Sequence, residues 1–155
     1  MLVRSPTSST TWCGPLGRVI DSRLRLAGLA LALAGVAIAG YLTWVHYADA
    51  QTVCVGGGGA CERGQGSDYA ELAGIPVALV GLVGYVSLLI ALTLPGAEAL
   101  LAAVFLGLVG VGFSAYLTYV ELVVIDAICQ WCVASAVVIT ALTGVAVARY
   151  LRAQA

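Results

Sequence analysis

Four stretches without a charged side chain dominate this sequence: Leu26 to Val45, Leu72 to Ala97, Ala99 to Val120 and Ala127 to Ala148, of 20, 26, 22 and 22 residues. At about 1.5 Å of helical rise per residue, each can cross roughly 30 Å of hydrocarbon. None alternates polar with apolar residues in segments of about ten, as barrel strands do. The composition agrees, with 61% hydrophobic and 10% charged residues over 155 positions and a mean hydropathy of +1.02. Soluble domains carry roughly 25% charge, and a chain this short cannot cover so much apolar surface with so few solvating groups. The sequence predicts an all-α integral membrane protein: a four-transmembrane-helix bundle, residues 25–149, with spans at about 26–46, 75–94, 99–121 and 128–148.

The charges also orient the bundle. Arg4, Arg18, Arg23, Arg25, Arg149 and Arg152 flank the termini, whereas Arg63 alone lies between the first two spans. By the positive-inside rule both ends are cytoplasmic, in a multi-pass protein of the cell inner or plasma membrane. His46 to Glu71 and Glu121 to Asp126 then face outward, and the turn Leu94-Pro95-Gly96-Ala97 faces in. Residues 1–24 are polar, contain arginine and lack the apolar core of a signal peptide, so they read as a disordered cytoplasmic tail, with a second tail at 150–155. A pI of about 5.6 gives no footprint for nucleic acid. So few intramembrane charges offer neither an ion path nor a proton relay.

Four of the five cysteines fall on the outward side: Cys54 and Cys61 in the long loop, Cys129 and Cys132 at the start of span four, with Cys13 alone in the cytoplasmic tail. Disulfides form and persist in that outer compartment. Cys129-Gln130-Trp131-Cys132 opens a helix, so its sulfurs lie one turn apart on one face, close enough to bridge. The positive end of the helix dipole lowers the pKa of a cysteine there and favours its thiolate. Between Cys54 and Cys61 the run Val55-Gly56-Gly57-Gly58-Gly59-Ala60 gives a mobile pair able to close a small ring. Beyond it Asp68 can cap a short helix, with Glu71 three residues on, Gly74 ending it and Pro76 starting span two. That pattern predicts a cap helix in the first outward loop, over the mouth of the bundle, and Ser67 stands at its start. Two dithiols in series form a candidate electron relay. Tyr41-Leu42-Thr43-Trp44-Val45 also recurs as Tyr116-Leu117-Thr118-Tyr119-Val120, an offset of 75 that carries Cys54 onto Cys129. Either spans one and three are structural equivalents, or the match is an aromatic belt repeated by chance.

Other readings fit the same residues. Four outward cysteines can hold one structural Zn²⁺, although the six-residue gap between Cys54 and Cys61 and the depth of Cys132 suit it poorly. They can form two static disulfides in a non-enzymatic tetraspan protein. Cys13 reads as a reduced thiol without a role, and His46 as an interfacial side chain. Trp131 suits either a pocket wall or an interfacial anchor.

The ordered set of a loop cysteine pair, Ser67, Tyr69-Ala70, Gly74-Ile75-Pro76-Val77-Ala78, Gly81, Tyr85, Ser114-Ala115-Tyr116-Leu117-Thr118 and the Cys-x-x-Cys at 129 and 132 resembles bacterial members of the vitamin K epoxide reductase family, over roughly residues 24–148. The resemblance implies a four-helix bundle around a quinone of the menaquinone or ubiquinone type. It also implies a thioredoxin-like partner that installs disulfides in exported proteins. It assigns catalytic roles to all four outward cysteines: partner attack at Cys54, then Cys61 on Cys129, with Cys132 facing the quinone and Trp131 a candidate pocket residue. Animal members hold the vitamin K ring with an Asn and a Tyr; this chain has no Asn, and Ala136 stands where that Tyr would. Fused members carry a thioredoxin-like domain after helix four; here seven residues follow Ala148, so the expected partner is a separate protein. The disulfide-bond formation protein B type, also four helices with two cysteine pairs, has its Cys-x-x-Cys in the first outward loop, the reverse of this order.

Overall fold

The structure is a computed structural model and describes residues 15–48, 71–72, 75–126 and 128–154. Four helices dominate it: α1 (Pro15–Tyr47), α2 (Val77–Thr93), α3 (Ala97–Val120) and α4 (Gln130–Gln154). α1, α3 with its continuation, and α4 are long and apolar enough to cross a membrane. α2 is shorter; its 17 residues reach about 25 Å, the lower limit for a span.

Local chemistry sets where these helices start and stop. Pro15 supplies a preset φ at a position whose N–H has no helical partner. Pro95 pushes Leu94 out of the helical region, to φ −70° and ψ 138°, which ends α2. Gly96 then turns the chain into α3 at φ 119°, a conformation that strains any side chain. α3 runs on into one π-helical turn, Glu121–Ile125, closed by Asp126 at φ 49°, whose N–H donates to the Glu121 carbonyl. Aspartate is among the few residues that enter that region readily.

The helices close into a ring in which each packs on its sequence neighbours and α1 meets α4. Small buried residues (Ala32, Ala39, Ala91, Ala103, Ala146) let the backbones approach closely. At Gly107 the approach is tight enough that a Cβ would lie 2.5 Å from Thr143 Oγ1. Leu33, Val83, Phe105 and Val137 point outward, an apolar exterior suited to lipid. At the end carrying the termini, Arg25 donates to the Thr93 carbonyl at 3.2 Å and Arg149 pairs with Asp21 at 3.2 Å, tying α1 to α2 and α4. The opposite end carries exposed Trp44, Tyr47, Tyr116 and Tyr119, the aromatic collar of a membrane interface.

The four-helix bundle is as expected from the uncharged stretches, but the helices overrun them. Residues 15–24, expected as disordered tail, are the first turns of α1, and α4 continues to Gln154 through most of the expected second tail. Charge ends a hydrophobic span without ending a helix, and here the overrunning turns are held together by the Asp21–Arg149 pair. Toward the end of the expected cap helix, the described residues are extended. Glu71–Leu72 (β1) pairs antiparallel with Ile75–Pro76 (β2), in the register Glu71 to Pro76 and Leu72 to Ile75. The residue before a proline is biased to extended backbone, which favours pairing at Ile75 over a helix running up to it. The remainder of that segment lies outside the described residues.

Candidate active site

A cavity of about 450 Å³ opens among the four helices, in the half of the bundle away from the termini. Its wall is largely aliphatic, with Phe113 its one phenylalanine. The groups able to hydrogen-bond or react there are His46 from α1, Tyr85 from α2, Ser114 and Thr118 from α3, Glu121 from the π turn, and Cys132 and Ser135 from α4.

Cys129 and Cys132 lie on either side of the first turn of α4. Cys129 precedes the helix, is fully buried, and accepts the Val133 N–H on its carbonyl at 3.1 Å, which makes it the capping residue. Cys132, one turn on, lines the cavity. Both are free thiols here, with their side chains hydrogen-bonded to one another. That bond from Cys132, helped by the backbone N–H groups of Trp131 and Cys132, holds the Cys129 thiol down at about 6, against burial and the Glu121 charge, which push it up. The bond from Cys132 thus favours the thiolate at Cys129 most, and the N–H groups of the helix start add to it.

Glu121 completes this cluster and was not singled out from the sequence as a site residue. It is 6% exposed, the only charged side chain among the described residues buried to that degree. Its Oε2 accepts the Cys129 backbone N–H at 3.3 Å, and its carboxylate also hydrogen-bonds the Cys132 side chain. A signal for it does exist in the sequence. Extending the 75-residue repeat by one position sets His46 opposite Glu121, and both line the cavity. The last three positions of the repeat are matched in the structure, whereas Tyr41 is half-buried and Tyr116 exposed: Val45 and Val120 are buried, Trp44 and Tyr119 exposed. Likewise Thr43 and Thr118 each donate to the carbonyl four residues back, at 2.7 and 2.9 Å.

Tyr85 and Ser135 form the second polar feature of the wall. The Tyr85 hydroxyl lies 2.9 Å from both the carbonyl and the hydroxyl of Ser135. Trp131, a candidate pocket residue from sequence, does not line this cavity; its ring packs on Tyr41 of α1, centroids 5.1 Å apart. It flanks Cys132 on the helix but faces a different side, because a one-residue step on a helix turns about 100°. Cys54, Cys61 and Ser67 lie outside the described residues, as does Cys13.

Compared with known families, residues 26–147 match the sequence model described as the vitamin K epoxide reductase family. The match reaches all four helices and includes the segment that carries Cys54 and Cys61.

Proposed function

Since the chain belongs to the vitamin K epoxide reductase family, we propose that it is a membrane thiol:quinone oxidoreductase that re-oxidises a separate thioredoxin-like protein for disulfide formation in exported proteins. One observation carries the reading: Cys132 lines a largely apolar cavity, while Cys129, its partner one turn away, stands outside the helix.

The cavity fits a quinone head group. Its volume lies within the roughly 300–1,000 Å³ of small-molecule pockets. Its aliphatic wall suits a ring and the start of an isoprenoid chain, and the Tyr85–Ser135 hydroxyl pair supplies polar contacts. Of the two hydroxyl protons in that pair, Tyr85's serves the Ser135 carbonyl and the Ser135 proton can turn toward a ligand oxygen. A quinone bound there supplies the two-electron, two-proton acceptor.

The protein's own thiols perform the exchange. A thiolate of the reduced partner attacks the Cys54–Cys61 disulfide at Cys54 and releases Cys61. Cys61 attacks Cys129 of the Cys129–Cys132 disulfide, which frees Cys132 beside the cavity; the partner's second thiolate displaces Cys54 and the partner leaves oxidised, and Cys54 then attacks Cys61 in the Cys61–Cys129 bridge, re-forming Cys54–Cys61 and releasing Cys129 as thiolate. Each step is attack of a thiolate on a neighbouring disulfide sulfur. Both termini lie in the cytoplasm in this reading, and the cysteine end of the bundle faces the extracytoplasmic side. The test is trapping: in Cys132→Ser the unpaired Cys129 thiolate attacks Cys61 of the Cys54–Cys61 disulfide and releases Cys54, so a Cys61–Cys129 bridge accumulates without added partner and is detected by mass spectrometry after acid quenching. Finding Cys129 unbridged in that variant would contradict the order.

A further inference from the structure

We propose that Glu121 is the proton acceptor for the Cys132 thiol, taking its proton as the Cys129–Cys132 disulfide closes. The inference deepens the thiol-exchange reading and rests on it. A carboxylate buried at the membrane interface is costly unless its position is used. This one is held by the Cys129 N–H at 3.3 Å and touches the Cys132 side chain. It therefore bridges the two reacting residues. The π turn puts it there: α3 ends at Val120, and the wider turn that follows sets Glu121 into the cavity wall while its backbone carbonyl accepts the Asp126 N–H. π turns of this kind concentrate at functional sites. Among the described residues, the titratable groups that share the cavity wall or a hydrogen bond with Glu121 are His46 on α1, Tyr85 on α2, and Cys129 and Cys132 at α4.

In closure, one S–S bond forms, and the Cys129 thiolate and the Cys132 thiol together lose two electrons and one proton. The electrons pass to the quinone-class acceptor, and the Cys132 proton passes to the Glu121 carboxylate. Closure of a mixed disulfide follows the same proton path without any quinone: Cys132–SH attacks Cys129–S–S–R, its proton goes to Glu121, and R–S⁻ leaves as the thiol after taking a proton. General acid–base help of this kind is worth about 10²–10⁴-fold in rate.

Quinone-free closure gives the test. In full-length protein with Cys13, Cys54 and Cys61 replaced by Ser, Cys129 is loaded with a chromophoric aromatic thiol, and its release is followed against pH. The parent rate is expected to level off below the pH range where an ordinary thiol ionises. Glu121→Gln, which can still accept the Cys129 N–H, is expected to close at least about tenfold more slowly at neutral pH. Its rate should then climb steadily with pH, with Glu121→Asp restoring part of the plateau. Equal rates and profiles for Glu121→Gln and the parent would overturn the proposal, and so would uniform slowing without a changed profile, the mark of a merely structural cap. A parent rate that climbs log-linearly through pH 8 would overturn it without any variant. Cys132→Ser, which cannot close, separates this outcome from failure of the thiol-exchange reading itself.

Discussion

The hydroxyl of Tyr85 on α2 meets Ser135 on α4 at 2.9 Å, three residues beyond Cys132 and across the cavity-forming half of the bundle. It crosslinks two helices at the depth where the reacting sulfur faces the pocket. With this pair in contact with the quinone, Tyr85→Phe should raise the quinone KM about 2–10-fold, the loss of roughly one hydrogen bond, and change stability by no more than about 1.5 kcal/mol. Steady-state kinetics over a quinone concentration series measure the first and thermal unfolding in detergent the second.

Gly35 is the other half of that arrangement. A Cβ on Gly35 would overlap the Tyr85 ring, so α1 and α2 meet there only because the position has no side chain. Gly35→Ala should displace Tyr85 from Ser135 and destabilise the bundle by about 1–3 kcal/mol. Gly112→Ala, with nothing within 4 Å of its Cβ, is the matched control and should be close to neutral. Denaturant unfolding of the two variants side by side checks this.

The depressed Cys129 thiol has a signed consequence. With its value at about 6, Cys129 is mostly thiolate at pH 7 and loses that form as pH falls through 6. Ultraviolet thiolate absorbance in a background lacking Cys13, Cys54 and Cys61 should show a midpoint near 6. Since the largest cause is the bond from Cys132, Cys132→Ala should move that midpoint up toward the ordinary 9.0.

Orientation is tested by labelling intact cells with a membrane-impermeant thiol reagent after mild reduction. Cys54 should react from the extracytoplasmic side and Cys13 only after permeabilisation. Labelling of Cys54 solely from the cytoplasmic side would invert the topology.

Much of this was legible in the sequence, and the remainder was hidden for identifiable reasons. Uncharged length predicted four helices because lipid leaves a chain few other choices. It missed the helical turns at residues 15–24 and 150–154, since a helix held by Asp21 and Arg149 can continue past the bilayer. Asp68 and Gly74, on which the cap-helix expectation rests, lie outside the described residues, and Glu71–Leu72 pair with Ile75–Pro76, in keeping with the bias that Pro76 imposes on Ile75. The Cys-x-x-Cys spacing placed its two sulfurs on one turn. Glu121 is not legible as a site residue, because a lone carboxylate at a span's end reads as an interfacial charge until the fold buries it. Tyr85 came only with the family resemblance, because its Ser135 partner is 50 residues away.

The central claim is that electrons leave the thiols through Cys132 into a quinone. Purified protein with bound quinone, given a reduced thioredoxin-like protein, should bleach the quinone absorbance stoichiometrically, and Cys132→Ser should abolish that change while still binding quinone. Equal quinone reduction by the parent and Cys132→Ser would contradict the account.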